Sequence, residues 1–399
     1  MSPNAPSMFI EINNENFIFI AGEYDESQNF EIKEKITTTI TGVSRKKFTN
    51  FDLAFNEIKK NIEIIENKLN CIFKEVTIIL DIFDFYCTNI TGFKKLNGSQ
   101  IFKENISYIL NSLKLSLVEN KKENKNNILH IFNSKSILDG IEVDNLPIGL
   151  FGDLYVHDLT FFSISNNDTK NINLLFNKNN IKVKKIFLKN FIESAQIIKE
   201  NNQDTFLKIK IDNDQINISF FYKSAFVYSE NFNFGSDIIY QDIEKVCFLQ
   251  KKIIKEFLSK NHFDQISFDD DDLLNKDYFK DGNYRKIRKK LIFDVAKARV
   301  EELLNKILSE NINIKFLKDK NPNFILIFQD KTILNSFKNF FNDFFSKKKL
   351  VVDHIDAPTP ETTAEMTSEI CIYGWKSEAI PVLHQRSSLI TRLFKLLFG

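Results

Sequence analysis

The residue types that most often do chemistry are scattered along this chain. Its five histidines are isolated from one another: His130, His157, His262, His354 and His384. His130 and His157 lie in segments with a strand-like pattern, where a histidine is usually a structural residue. The sequence contains no GxSxG, HExxH or P-loop motif, so it shows no recognisable centre for nucleophilic, zinc-dependent or P-loop chemistry. We therefore predict that the chain is not an enzyme and binds no metal.

Two charged runs resemble ion-binding segments but lack the required pattern. The acidic run 269–272 has neither the alternating ligands nor the glycine and distal glutamate of an EF-hand. The basic run 285–290 has no interleaved aromatic residues that could stack on bases. Across the chain, 54 Lys and Arg residues balance 53 Asp and Glu residues. We expect two solvated segments and no nucleic-acid partner.

Hydrophobic periodicity predicts two similar runs of strands and helices. The first run has a strand pair over 9–22, a strand over 30–41, a helix over 50–69 and a buried strand over 76–82. The second has strands at 184, 205–211, 216–222 and 324–328, with helices over 191–199, 239–258, 285–308 and 332–345. An extended connector is expected over 357–361, and residues 369–375 are expected to return to the core. This order predicts an α/β protein with two lobes.

Residues 128–152 (ILHIFNSKSILDGIEVDNLPIGLFG) are the most distinctive segment of the chain. A β-rich start is followed by closely spaced turn residues at Asp139-Gly140, Pro147, Gly149 and Gly152, and then by a second strand over 154–162.

This segment resembles the signature of FtsA, the actin-related protein that ties the bacterial division ring to the membrane. The matching positions are Leu129-His130, Leu138-Asp139-Gly140, Asn145, Pro147, Gly149-Leu150, Gly152 and Val156-His157, with Leu146 inserted before Pro147. The resemblance continues through 235–243, the helix AKARVEELL at 296–304 and the last residues, so it covers nearly the whole chain.

The resemblance implies an actin-like (ASKHA) two-lobed fold with an inserted 1C (SHS2) subdomain and a C-terminal amphipathic helix. The boundaries it implies are 8–85 and 164–202 for subdomain 1A, 86–163 for 1C, 203–234 and 319–356 for 2A, 235–318 for 2B, 357–380 for the return to 1A, 381–387 for a linker and 388–399 for the helix.

In actin-like ATPases two β-hairpins hold the polyphosphate, and their glycines let backbone N–H groups approach the phosphate oxygens. Here the first hairpin carries Asn13, Asn14 and Asn16 at the positions of the family's Gly, Thr and Lys. The second carries Asp212, Asn213 and Asp214 in place of glycines, and Lys210 in place of the magnesium-side acid. The carboxylates of Asp212 and Asp214 would therefore repel a bound phosphate, since like charges ~4 Å apart repel by about 4 kcal/mol at an effective dielectric of ~20.

Other nucleotide-contacting positions are partly retained. Gly235 and Lys255 match the family, whereas Phe328 and Gln329 replace a pair of glycines on the adenosine side. We therefore expect the actin-like fold to be retained while its nucleotide site is degenerate. No cofactor is expected, and binding of ATP and magnesium is disfavoured.

The resemblance also implies partners. In the family the C-terminal peptide of FtsZ docks near an Arg and a Glu three residues apart, which match Arg299 and Glu302. Two ordinary surface charges on a helix would look the same. Self-association into an actin-like polymer or short filament, and contacts of downstream division proteins with subdomain 1C, are further implied, at the division septum on the cytoplasmic face of the inner membrane.

The last residues (SLITRLFKLLF, 388–398) have one wide apolar arc and a basic arc when placed on a helical wheel. The residues expected to bind an anionic membrane surface are Leu389, Ile390, Arg392, Leu393, Phe394, Lys395, Leu397 and Phe398. A terminal helix docked on the protein's own core is the alternative. No apolar run approaches the ~20 residues that would span a bilayer.

Two other functions compete with an FtsA-like adaptor. A pilus-assembly scaffold similar to PilM would bind a peptide from a membrane partner, but such proteins lack the amphipathic tail. An actin-like ATPase or sugar kinase would need the phosphate-binding glycines and a catalytic acid.

Overall fold

The structure is a computed structural model that describes residues 6–44, 46–119, 126–261, 269, 271–279, 284–318 and 320–379. The chain divides into two compact units. Unit 1 comprises Met1–Lys189 and Thr367–Gly399, and unit 2 comprises Asn190–Met366. In the part of the chain that the structure describes, none of the helices has the length and hydropathy of a membrane-spanning segment.

Unit 1 is built on a five-stranded sheet in the order β11-β6-β1-β2-β3. Its strands are β1 (Ser7–Ile12), β2 (Asn16–Tyr24), β3 (Phe30–Thr39), β6 (Glu75–Leu80) and β11 (Lys182–Leu188), and a small ribbon joins β4 (Val43–Ser44) to β5 (Lys47–Phe48). β1 and β2 form an antiparallel hairpin, while β6 runs parallel to both β1 and β11. The strand pair predicted over 9–22 is confirmed.

Helix α1 (Phe51–Leu69) confirms the helix predicted over 50–69. The Asn50 side chain caps its start by accepting a hydrogen bond from the backbone N–H of Leu53, and Asn70 ends it in the left-handed conformation at φ 49°. The buried face carries Ala54, Ile58 and Ile65 at helical spacing.

Unit 1 contains a second sheet, of four strands. Its strands, in the order β7-β10-β8-β9, are β7 (Phe85–Lys95), β8 (Asn126–Leu138), β9 (Ile141–Val143) and β10 (Leu154–Ser165). Helices α2 (Lys103–Glu119) and α3 (Asn166–Asn177) were not predicted. α2 approaches β7 so closely that a Cβ on Gly92 would lie 2.4 Å from Ile109 Cγ2.

The distinctive turn residues of this sheet pack against one another. Asp139 and Gly140 connect β8 to β9 with φ values of 49° and 83°. Asp139 Oδ1 accepts hydrogen bonds from the backbone N–H groups of Asp153 (2.9 Å) and Leu154 (2.7 Å). A Cβ on Gly152 would lie 2.4 Å from Leu138 Cδ1. These signature residues therefore hold the start of β10 against the β8–β9 turn.

Unit 2 is built on a five-stranded sheet in the order β14-β13-β12-β15-β16. Its strands are β12 (Phe206–Ile211), β13 (Ile216–Tyr222), β14 (Ala225–Phe232), β15 (Asn323–Phe328) and β16 (Val352–His354). The helices after residue 188 are α4 (Lys189–Asn201), α5 (Asp237–Cys247), α6 (Lys251–Lys260), α7 (Lys289–Asn305), α8 (Ile312–Lys318), α9 (Lys331–Lys347) and α10 (Pro360–Tyr373), with a short 3₁₀ turn at Lys276–Phe279 and a π turn at Lys306–Glu310.

Three predicted boundaries are wrong. The helix predicted over 239–258 is two helices, because Phe248 adopts the left-handed conformation at φ 52° after α5. The helix predicted from 285 begins at Lys289, and its α-helical part ends at Asn305. The connector predicted over 357–361 already enters α10 at Pro360, where a fixed φ suits the first helical position.

Candidate functional site

The turn of the β1–β2 hairpin satisfies its own backbone amides. Asn13 Oδ1 accepts hydrogen bonds from the N–H groups of Glu15 (3.0 Å) and Asn16 (2.7 Å). The N–H of Asn13 donates to the carbonyl of Asn16 at 3.1 Å. Asn14 is exposed at the tip. An asparagine side chain thus occupies two amides of the turn that was expected to face phosphate.

An ammonium group lies between two carboxylates beside this hairpin. Lys189 Nζ is 2.8 Å from Glu11 Oε1 and 3.2 Å from Asp81 Oδ2. Glu11 also accepts a hydrogen bond from Asn13 Nδ2 at 2.9 Å. The side chains of Lys189 and Glu11 are only 12% and 3% exposed, so the pair is shielded from solvent. Lys189 supplies positive charge where two acids would otherwise repel each other.

The β12–β13 hairpin is closed in a similar way by a distant side chain. The N–H of Asp212 donates to the carbonyl of Gln215 at 2.9 Å. Gln329 Oε1 accepts a hydrogen bond from the N–H of Asn213 at 3.2 Å, and the N–H of Gln329 donates to the carbonyl of Ile211 at 3.0 Å. Asp214 is exposed. Gln329, predicted on the adenosine side, therefore binds the second turn directly.

Gly235 permits a close approach between two backbone segments of unit 2. A Cβ at this position would lie 2.3 Å from the carbonyl oxygen of Asp212 and 2.6 Å from that of Asn213. The next two residues, Ser236 and Asp237, donate backbone hydrogen bonds to those same carbonyls at 2.9 and 2.8 Å. Packing against the β12–β13 turn therefore accounts for a glycine at position 235 without any ligand.

Two lysines of β12 share one buried glutamate. Lys208 Nζ is 3.1 Å from Glu193 Oε2, and Lys210 Nζ is 3.0 Å from Glu193 Oε1. Lys208 Nζ also donates to the carbonyl of Asn190 at 3.2 Å. The side chains of Lys208 and Glu193 are 0% and 1% exposed. Lys210, predicted at the position of a magnesium-side acid, thus belongs to an internal ion-pair cluster.

Lys255 is also paired within unit 2. Its ammonium is 3.1 Å from Asp330 Oδ2, which accepts a second hydrogen bond from the Tyr240 hydroxyl at 2.9 Å. Burial raises the pKa of Asp330, but the hydrogen bonds from Lys255 and Tyr240 outweigh it and lower the pKa overall. Phe328 is buried against Phe341, with ring centroids 4.9 Å apart, and so belongs to the core.

The two residues predicted to bind FtsZ form a charged network on α7. Arg299 Nε donates to Asp242 Oδ2 on α5, and Arg299 Nη1 lies 2.8 Å from Glu302 Oε2. Glu302 Oε1 is 2.8 Å from Lys306 Nζ. The Arg299 and Glu302 side chains are 22% and 45% exposed.

The residues predicted to bind the membrane lie outside the described part of the chain. They are Leu389, Ile390, Arg392, Leu393, Phe394, Lys395, Leu397 and Phe398.

Sequence reasoning missed five charged residues that the fold pairs with predicted or neighbouring positions: Asp81 and Lys189 near Glu11, Glu193 and Lys208 near Lys210, and Asp330 near Lys255. One signal was available, since the strand FLKIKI has two lysines among apolar residues that are all buried. A buried lysine needs a partner.

His157 on β10 is buried without a hydrogen bond in the described part of unit 1. Neither of its ring nitrogens has a partner, its residue is 1% exposed, and the Tyr155 ring centroid lies 5.6 Å from its own. Burial lowers the pKa of His157 to about 4. The neutral form is therefore the one that the fold accepts.

Because the pKa of His157 is lower in the folded state than in the unfolded chain, its contribution to stability is complete above pH ~6.5 and is lost as the pH falls toward 4. We expect about 3 kcal/mol of pH dependence from this residue. His157→Leu should reduce the pH dependence of the free energy of unfolding between pH ~6.5 and 4. Amide exchange of β10 peptides measures this. His354→Gln, at a half-buried site in unit 2, is the control and should leave the exchange of the β10 peptides unchanged. An equal effect of both variants on β10 would contradict the role of His157.

Comparison with known proteins defines the class. No protein family model matches the chain. The PilM-PilN type IV pilus biogenesis complex has a TM-score of 0.52 at 7% identity, covering 93% of this chain and 97% of that one. MreB5 of Spiroplasma citri bound to AMPPNP has a TM-score of 0.46 at 10% identity, covering 92% and 96%. The likeness to the PilM-PilN structure, at a TM-score of 0.52, supports the actin-like fold that the sequence predicted.

Among curated proteins, the cell division protein FtsA of Buchnera aphidicola subsp. Schizaphis graminum (strain Sg) is 22% identical over 301 residues. The match spans 75% of this chain and 71% of that protein. The chain is thus similar in sequence to FtsA and has an actin-like fold.

Proposed function

We propose that the chain is a cell-division adaptor that tethers FtsZ filaments to the inner face of the cytoplasmic membrane and works without a bound nucleotide. The similarity to FtsA supports the division role. The observation that carries nucleotide independence is the pair of hairpins whose amides are already bound to Asn13 and Gln329.

Binding a polyphosphate would require these internal contacts to break. The N–H groups of Glu15, Asn16 and Asn213 would have to leave their side-chain acceptors, each at a net cost of about 1 kcal/mol. The exposed carboxylate of Asp214 would then face the phosphate charge. A polyphosphate would therefore gain little binding free energy from amides that already have hydrogen-bond acceptors.

Titration calorimetry with Mg-ATP is expected to give no measurable heat of binding up to about millimolar nucleotide. Gln329→Gly, which removes the acceptor on the Asn213 amide, should not restore binding alone because Asn13 still occupies the first hairpin. Micromolar affinity in the wild-type chain, or nucleotide retained through purification, would contradict this proposal.

The FtsZ peptide is proposed to bind at Arg299 and Glu302 on α7. A guanidinium can bind a peptide carboxylate with two parallel hydrogen bonds. Here Arg299 already contacts Asp242 and Glu302, so a peptide carboxylate would replace one of these partners. The existing contacts also hold the guanidinium in place on the helix.

Arg299→Glu is expected to weaken binding of the FtsZ C-terminal peptide at least about tenfold, since it removes the donor and adds a repelling charge. Arg299→Lys should lose part of that affinity, because an ammonium cannot make the paired contact. Fluorescence anisotropy of a labelled peptide measures both. Glu301→Lys, an exposed change on the same helix, is the control. Unchanged affinity in Arg299→Glu would remove this site from the proposal.

The inserted subdomain offers a surface for further division proteins. Backbone hydrogen bonds hold its loop rigidly: the N–H of Ile101 donates to the carbonyl of Leu150, and the N–H of Gly149 donates to that of Ile101, both at 2.8 Å. Large apolar side chains nevertheless remain 43–69% exposed there: Phe102, Ile148, Leu150 and Phe151. A rigid exposed apolar patch favours a protein partner.

A pilus-assembly scaffold that binds a peptide from a membrane partner is the second candidate, because the PilM-PilN type IV pilus biogenesis complex matches the fold over 93% of the chain. The two functions differ in their ligand. Binding of an FtsZ C-terminal peptide and not of a pilus-type membrane peptide supports the division adaptor; the reverse supports the scaffold.

A further inference from the structure

A groove of about 680 Å³ opens in unit 1 where β1 and β6 begin. Met8 and Phe73 form part of its buried apolar wall. At its mouth, Ile72 and Ile372 are 81% and 56% exposed. Its volume falls within the ~300–1,000 Å³ typical of ligand pockets. We call it the basal groove.

The rim of the basal groove carries charges of both signs. Glu23 and Glu75 face the same opening as Lys74 and Lys184. A phosphate or a single ion would be repelled by half of this rim. An apolar segment flanked by charged residues fits it better, because its apolar side chains can occupy the wall while its charges stay at the edge.

The chain leaves the described structure close to this groove. The carbonyl of Ser377 accepts a hydrogen bond from the N–H of Asn133 (2.8 Å), and the N–H of Ala379 donates to the carbonyl of Ile131 (2.7 Å). Glu378 binds His130 Nδ1 at 2.8 Å and Lys185 Nζ at 3.2 Å. These contacts fix the exit point on β8.

Cys371 connects the exit point to the basal groove. It lines the groove on the last turn of α10, and burial raises the pKa of its thiol, on which the charges of Lys185 and Glu378 also act. Lys184, next to Lys185, lies on the rim. The exit and the groove are therefore neighbours.

The residues that follow Ala379 can reach the groove. The segment 380–387 spans up to about 26 Å when extended. The next residues, 388–398, supply apolar side chains and the basic Arg392 and Lys395. A short linker gives an effective concentration of about millimolar, so even a weak contact would be populated.

We propose that the basal groove holds the chain's own segment 388–398 when no membrane is present, and that membrane binding withdraws it. This inference rests on the proposed membrane role of that segment. A single molecule keeps its tail docked, whereas several tails on one polymer compete together for an anionic surface. Membrane attachment thereby becomes coupled to assembly.

Cys371 provides a direct test in the full-length protein. Its alkylation by N-ethylmaleimide, followed by mass spectrometry against Cys87 as internal reference, should be slow in the wild type. Leu393→Glu/Phe394→Glu should accelerate it several-fold, and vesicles of phosphatidylglycerol and phosphatidylcholine should accelerate it in the wild type. Equal rates in the wild type and the variant would overturn the proposal.

Membrane binding provides the second arm. Ile372→Glu and Ile72→Glu should each raise the vesicle-bound fraction several-fold at limiting lipid, because the groove no longer competes. Ile312→Glu, at a residue 67% exposed in unit 2, is the matched control and should change nothing. Unchanged binding in both groove variants would overturn the docking while leaving the adaptor role intact. If no form binds vesicles, the membrane role fails and the Cys371 rates alone decide the docking.

Discussion

Replacing Glu193 with alanine is expected to lower the free energy of unfolding of unit 2 by about 3–5 kcal/mol. Glu193 is the carboxylate that both Lys208 and Lys210 contact, at 3.1 and 3.0 Å. Without it, two ammonium groups remain in a region where Lys208 is 0% exposed. Urea unfolding followed by fluorescence or circular dichroism measures the loss.

A charge-free replacement separates the ion pairs from packing. The triple variant Glu193→Leu/Lys208→Met/Lys210→Met removes all three charges at similar volume and should recover most of the lost stability, since buried ion pairs are often replaceable by apolar groups. Glu244→Ala, at a half-buried glutamate, is the control. If Glu193→Ala costs less than about 1 kcal/mol, the cluster is not what holds β12 and α4 together.

The second large effect is expected when a charge is placed at the centre of the apolar arc of the tail, residues 388–398. Leu393→Glu or Phe394→Glu should lower binding to anionic vesicles at least about tenfold, because each removes ~1.5–3 kcal/mol of apolar burial and adds a charge repelled by the lipid. Deleting 388–399 should abolish pelleting. Vesicle sedimentation measures all three.

The controls for the tail use its own polar arc. Thr391→Ser, on the basic arc, should leave binding unchanged. Added salt should weaken binding by screening Arg392 and Lys395 but should not remove it, because apolar burial is not screened. A truncated chain that still pellets, or that unfolds, would identify the tail as a docked core helix.

The elements around the candidate site could be predicted because their signals are local. The hairpin turns at Asn13 and Asp212 lie between strands of clear pattern, and α1 has both its cap and its periodicity in sequence. The break between α5 and α6 could not be found, since Phe248 carries none of the usual markers of a left-handed residue.

The side-chain contacts at the candidate site join residues that are far apart in sequence, and so they could not be predicted. Gln329 lies 116 positions from Asn213 in sequence, and Lys189 lies 178 positions from Glu11. The sequence predicted which positions lack phosphate-binding glycines, but not that side chains brought by the fold would bind these amides and acids.

FtsZ recruitment to anionic vesicles in the absence of ATP is the decisive test of a nucleotide-independent membrane tether. Fluorescent FtsZ filaments are mixed with phosphatidylglycerol-containing vesicles and the full-length chain, with and without Mg-ATP, and the vesicle-bound FtsZ is measured after flotation. We predict recruitment that is the same in both conditions and is lost in Leu393→Glu and in Arg299→Glu. Recruitment that requires ATP, or no recruitment in either condition, would contradict a nucleotide-independent membrane tether.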